Sequence, residues 1–181
     1  MPKQISHSYI PLLPDRPSKV AIFADSHAND KRFASAIRQA ARLGPVDAAL
    51  HLGDHASDAA LLHELQPEWP VFAVRGNNDY DDMDVPNELL LSVGKIHIYA
   101  SHGHQQSAAA RPYKLAERAR ALGAQVACFG HTHIAFLQTI DHVLVANPGS
   151  VSYPRGPGGA AFALASINDT RCEISIMRVG S

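Results

Sequence analysis

The 181-residue chain has little tryptophan, with one residue, and little cysteine, with two. Cys128 and Cys172 both lie in apolar runs. Two thiols in a chain of this size act more often as small buried hydrophobes than as a staple, and nothing asks for an oxidising compartment. A charge excess is also missing: 16 Lys+Arg against 17 Asp+Glu leave −1 with His neutral. That argues against a general nucleic-acid coat or a polybasic membrane binder and leaves room only for a local basic patch. No stretch approaches the roughly 18–20 apolar residues that cross a bilayer. Residues 1–18 carry Pro2, Pro11, Pro14 and Pro17 and lack the continuous apolar segment of a signal peptide. They are expected to form an irregular N-terminal extension. Internal repeats and low-complexity blocks are absent as well. The expectation is a cytoplasmic protein without membrane contact.

Histidine is what the chain has in surplus, with 11 residues. It is the commonest metal ligand and the side chain that titrates near neutrality, so position must decide what the surplus means. With 46% apolar and 18% charged residues in 19.5 kDa, the chain reads as globular, with one domain over 19–181.

From Lys19 onward, short apolar runs alternate with helical periodicity. KVAIFA (19–24), DAALHL (47–52) and PVFAV (70–74) read as strands, separated by helices over 31–42 and 56–65. In the first helix Phe33, Ala36, Ile37, Ala40 and Ala41 share a face; Asn29 or Asp30 can cap it, and Gly44–Pro45 stops it. This βαβαβ opening implies parallel strands with right-handed crossovers. Residues 88–93 and 95–101 read as a hairpin about Gly94, 110–122 as a helix and 125–130 as a strand. AFLQTI and HVLVAN pair across Asp141, and 159–167 and 172–179 are late strands. The architecture inferred is two packed sheets with helices outside.

Ligands of open α/β sheets bind beyond the carboxyl ends of the strands, where loops converge. The residues that follow each apolar run are Asp25 and His27; Gly53–Asp54; Gly76–Asn77–Asn78–Asp79; His102–Gly103–His104; Gly130–His131–Thr132–His133; and Asn147–Pro148–Gly149–Ser150. Taken singly, most have a plain structural reading. Asp25-Ser26-His27 is a turn with a helix cap, and Gly53–Asp54 and the Gly76 loop are ordinary turn material. His131-Thr132-His133 is stronger, because residues i and i+2 of a strand share a face and present two imidazoles together. These plain readings do not easily all hold at once. His7, His63, His97 and His142 fall in the extension, a helix, a strand and a turn and receive no role. His51 and His55 flank Asp54 and are as readily packing as support.

Asp25, His27, Asp54, Asn77, His102, His131 and His133 offer more donors than one Zn²⁺ uses, which suits two metals with one carboxylate shared. Mixed carboxylate and imidazole donors favour Mn²⁺, Fe or Zn²⁺ over the oxygen-preferring Ca²⁺ and Mg²⁺. Two divalent ions bring about +4, two aspartates lower this to about +2, and a bridging hydroxide to about +1. Such a centre attracts anionic phosphoesters, and metals roughly 3.5–4 Å apart stabilise both oxygens of an in-line displacement.

This ordered set resembles the calcineurin-like metallophosphoesterase superfamily. The short chain and the loop Asn147–Ser150 are similar to its small single-domain phosphodiesterases, over about residues 19–155. The resemblance implies an α/β fold, a four-layer α/β/β/α sandwich of two mixed sheets flanked by helices. It implies that Asp25, His27 and His133 hold a first metal, that Asn77, His102 and His131 hold a second, and that Asp54 bridges them. A bridging hydroxide would be the nucleophile, with no covalent enzyme intermediate. The cofactors expected are two divalent metal ions, Mn²⁺ first, with Fe, Zn²⁺ or Ni²⁺ as alternatives.

One position departs from the family pattern. Many relatives carry His directly after the ligand Asn; here that residue is Asn78. A neutral amide delivers no proton, though it hydrogen-bonds a phosphoryl oxygen. Asn78 and His104 are therefore the catalytic candidates, His104 as a substitute acid. Asn78 and Arg155 are the substrate-contact candidates, with Arg75 beside them, and for the arginines a solvent-facing position is an equal alternative. Activated diesters are expected to react better than esters with poor leaving groups.

The leading function is a metal-dependent phosphodiesterase on a small phosphoester. The alternative is a non-catalytic scaffold or interaction protein on the same fold, as in the retromer's scaffolding subunit. A nuclease is a third possibility and ranks below the small-diester reading, since no basic run tracks a polynucleotide. Homo-oligomerisation is left open.

Overall fold

A computed structural model describes residues 5–11, 16–80 and 84–180. The first sheet has the order β11-β10-β2-β3-β4. Its strands β2 (Ser18–Phe23), β3 (Ala48–His51) and β4 (Val71–Ala73) run parallel, and β10 (Ala161–Ile167) and β11 (Cys172–Arg178) add an antiparallel edge. The second sheet has the order β1-β5-β6-β7-β9-β8. It is built from β1 (Ser6–Ile10), β5 (Glu88–Val93), β6 (Ile96–Ser101), β7 (Val126–Cys128), β8 (Phe136–Ile140) and β9 (Val143–Asn147). Here β6, β7 and β9 are parallel neighbours, so both sheets are mixed.

The strands that read as continuous apolar runs do so because both of their faces are covered. In β2, Val20 and Ile22 enter the core between the sheets, whereas Ala21 and Phe23 face the helices. The period of two divides β6 and β7 in the same way: Ile98, Val126 and Cys128 point inward, Tyr99 and Ala127 outward. Helix α1 (Asp30–Arg42) and helix α2 (Ala59–Leu65) cover the first sheet, where Phe33 meets Phe23 edge-on and Phe23 stacks on Phe162. Helix α3 (Arg111–Ala121) covers the second sheet through Leu115, Ala116 and Ala119. The result is the four-layer α/β/β/α sandwich.

Asn29 is the cap of α1, its side chain accepting from the Arg32 amide at 3.3 Å. The expected helix over 56–65 opens as a 3₁₀ turn, Ala56–Asp58, before α2 begins. A larger correction concerns the N-terminal segment. Residues 6–10, expected to be irregular, form β1 in parallel register with β5. Arg16 then clamps Asp47 through both carboxylate oxygens, at 2.8 and 2.6 Å. Residues 1–4 and 12–15 lie outside the described part. Cys128 and Cys172 are free thiols, buried and half-buried. Among the described residues, no helix is long and apolar enough to cross a membrane.

Candidate metal centre

The loops after β2, β3 and β4 in one sheet and after β6, β7 and β9 in the other meet at one edge of the sandwich. They bond to one another directly. The Asp25 amide donates to the Gly53 carbonyl at 3.2 Å, and the Gly130 amide to the His102 carbonyl at 3.2 Å. Ser150 Oγ donates to the Asp25 carbonyl at 2.8 Å.

Two donor clusters result. In the first, ligand atoms of Asp25, His27, Asp54 and His133 all lie within 4.8 Å of one another; in the second, those of Asp54, His102 and His131 do so. Asp54 belongs to both. Asn77 joins the second through Oδ1, 3.2 Å from His102 Nε2. All seven residues singled out as ligands in the sequence are thus brought to one place.

The donor atoms are set for a cation. His102 Nδ1–H donates to the Leu52 carbonyl at 2.7 Å and His133 Nδ1–H to the Tyr153 carbonyl at 2.6 Å. These bonds fix each ring and turn its Nε2 lone pair toward a carboxylate, at 3.4 Å from Asp54 and 3.4 Å from Asp25 respectively. His27 Nε2 and His133 Nε2 are 3.1 Å apart. Asp25 Oδ2 is buried without a hydrogen-bond partner. Burial first, and the Asp54 charge second, push the Asp25 carboxyl well above the usual range. Burial holds His102 down to about 4, so its imidazole stays neutral with a lone pair available. An orphaned carboxylate oxygen and converging lone pairs are what a bound divalent ion satisfies.

Residues 19–170 match the family model for the calcineurin-like phosphoesterase superfamily domain. The chain belongs to this superfamily. It is 32% identical over 155 residues to the probable metallophosphoesterase YsnB of Bacillus subtilis, covering 86% of this chain and 88% of that protein. A solved structure from Streptococcus pneumoniae, described as a predicted phosphoesterase, superposes with a TM-score of 0.71 at 25% identity, over 89% of each chain. Vps29 from Entamoeba histolytica, solved with Zn²⁺, superposes with a TM-score of 0.67 at 19% identity, over 90% of this chain and 99% of that one. This last likeness shows the fold alone.

The other candidates of this calcineurin-like phosphoesterase sit around the two clusters. The Asn78 side-chain amide donates to Asp54 Oδ2 at 2.8 Å and its backbone amide to Asp54 Oδ1 at 3.0 Å. One side-chain N–H of Asn78 remains for another acceptor. The half-buried His104 ring lies 5.5 Å from that of His102 and 6.3 Å from that of His131. Arg155 is exposed on the wall of a cavity that also includes His27 and His133. Arg75 is turned elsewhere: its guanidinium donates to Asn87 Oδ1 at 3.1 and 3.3 Å.

Three supporting groups had no role in the sequence reading. Buried Asp79 accepts from four backbone amides, those of Asp54, His55, Ala56 and Gly76, at 2.7–3.0 Å. It ties the β3 loop to the β4 loop. His51 lies beneath the site, its Nδ1 accepting from the Gly53 amide at 3.3 Å and its Nε2 3.0 Å from Ser26 Oγ. Buried Asn147 donates to the Gly130 carbonyl at 2.7 Å and to Thr132 Oγ1 at 3.1 Å, holding the His131–His133 turn. A signal for Asp79 did exist, an acid closing a glycine-led loop after a strand, but such loops are common without a site.

Proposed function

We propose that the protein hydrolyses small anionic phosphodiesters at a two-ion centre held by Asp25, His27 and His133 on one side and Asn77, His102 and His131 on the other, with Asp54 shared. The observation that carries this is the double membership of Asp54 in the two donor clusters. When bound, the two divalent ions, Mn²⁺ first among the choices, supply positive charge for the phosphoryl oxygens and a water-derived nucleophile.

The chain's own residues do the rest. His102 and His133 are kept in one tautomer by the Leu52 and Tyr153 carbonyls, so their Nε2 atoms stay unprotonated. Asn78 donates to a non-bridging phosphoryl oxygen through its remaining N–H. Arg155 neutralises the ester's charge from the cavity wall. His104 is assigned to deliver the proton to the leaving oxygen, supported by its place beside the His102 and His131 rings. With no imidazole at position 78, activated diesters are favoured over monoesters with poor leaving groups.

The test compares bis(p-nitrophenyl) phosphate with p-nitrophenyl phosphate on Mn²⁺-loaded protein. Diester cleavage should exceed monoester cleavage and fall at least about a hundredfold in Asp54→Asn, which takes the shared carboxylate charge out of both clusters. Diester activity untouched by Asp54→Asn would end the proposal.

The neutral amide at Asn78 favours a second reading, a metal-binding interaction protein without catalysis. Metal-loaded protein that is inert to both esters but binds one protein partner tightly would replace the first reading with the second.

A further inference from the structure

The cavity on the His27 and His133 side measures about 880 Å³. That is well beyond what a lone phosphate fills and within the range of small-molecule sites. Its wall holds two guanidiniums, Arg32 and Arg155, and no carboxylate. Among the described residues neither arginine is in an ion pair. The Arg155 backbone amide donates to the His133 carbonyl at 3.0 Å, so this residue stands next to the first donor cluster. Arg32 comes from the first turn of α1. Its Nη1 donates to the Ser152 carbonyl at 2.7 Å, which fixes the guanidinium against the loop after β9. Four further N–H donors of that guanidinium remain, in the planar fork that suits a phosphate. On the same wall, the Tyr153 and His55 rings stand edge-on to His27, at 5.6 and 5.7 Å.

We infer that this cavity is a specificity subsite for a second phosphate group of the substrate, set apart from the scissile one, with Arg32 as its anchor. The inference rests on the phosphodiesterase reading and names its substrate class: a small phosphodiester that also carries a phosphate monoester, as in a phosphorylated nucleotide ester. Arg32 belongs to α1 and not to any of the ligand-bearing loops, and its fixed fork gives the substrate a second point of attachment. Two separated anchors orient the ester over the donor clusters, which lowers the entropy of the reactive arrangement.

The probes are thymidine 5′-(p-nitrophenyl phosphate) and the same ester phosphorylated at its 3′ oxygen. Both have the same leaving group and reacting phosphorus, so their kcat/KM ratio is insensitive to metal content or general loss of fold. The 3′-phosphorylated ester should be preferred by at least about tenfold in the wild type, as a charge-assisted contact implies. In Arg32→Gln that ratio should fall toward one. Calorimetric titration gives a readout without turnover: thymidine 3′,5′-bisphosphate should bind more tightly than thymidine 5′-phosphate, and Arg32→Gln should erase the difference. Equal kcat/KM for the two esters in the wild type, or a preference that survives in Arg32→Gln, overturns the inference and leaves the phosphodiesterase reading standing. If neither ester is cleaved while bis(p-nitrophenyl) phosphate is also inert, the phosphodiesterase reading itself has failed.

Discussion

At the scale of single residues, the side chains that support the site are as informative as those that form it. The Asp79 carboxylate collects four amide hydrogens from two loops and thereby sets where the Asp54 carboxylate stands. An amide at this position keeps one acceptor oxygen and turns N–H groups toward amide donors. Asp79→Asn is expected to cost about 2–4 kcal/mol in urea-unfolding stability and to weaken Mn²⁺ binding roughly 10–100-fold by calorimetry. His51 supplies a pH dependence. Burial above all lowers it from the ordinary 6.5 to about 4. Between those values the unfolded chain binds a proton that the native chain refuses, so this contribution is present above pH 6.5 and is lost as pH falls toward 4. Unfolding midpoints of metal-free protein should therefore drop on acidification, and His51→Gln should lessen the drop. Equal pH profiles for the two proteins would contradict this origin.

At the scale of elements, the loops hold strain that no sequence pattern displays. Asp25, His27, Asp54, His131 and His133 all have left-handed backbone conformations, with φ between 49° and 68°. Each costs of order 1 kcal/mol for a residue with a Cβ and persists because surrounding hydrogen bonds dictate it. Close approach adds a second constraint. A Cβ on Gly76 would fall on the Asp54 carboxylate and backbone nitrogen. Gly76→Ala should thus lower Mn²⁺ affinity at least about tenfold while leaving the far-ultraviolet circular dichroism native; an unchanged affinity would refute the steric argument.

These elements also show why parts of the fold were legible and parts were not. The ends of β2, β3 and β6 could be read because apolar runs buried on both faces stop abruptly at polar residues. Strand β7, by contrast, ends at Cys128, short of the expected 130, and His131 and His133 come from a left-handed turn and not from one strand face. The face of α1 could be read from the spacing of Phe33, Ala36, Ile37 and Ala40. Strand β1 could not, since Ile10 is its one buried residue and its pairing with β5 lies some eighty positions away. The seven donors were visible as a set, whereas Arg32 was hidden as one more exposed residue of an amphipathic helix.

At the scale of the whole molecule, two sheets contribute unequal parts to one site: β2, β3 and β4 bring Asp25, His27, Asp54 and Asn77, and β6 and β7 bring His102, His131 and His133. Cations held across that seam would link metal binding to sheet packing, so Mn²⁺ at a hundredfold excess over Kd should raise unfolding stability by about 2.7 kcal/mol for each ion bound. The most direct measurement is hydrolysis of bis(p-nitrophenyl) phosphate by metal-stripped protein titrated with Mn²⁺. Activity should be absent in chelator and rise until two equivalents are bound. Full activity in the chelator, or a maximum reached at one equivalent, would contradict a two-ion centre organised around Asp54.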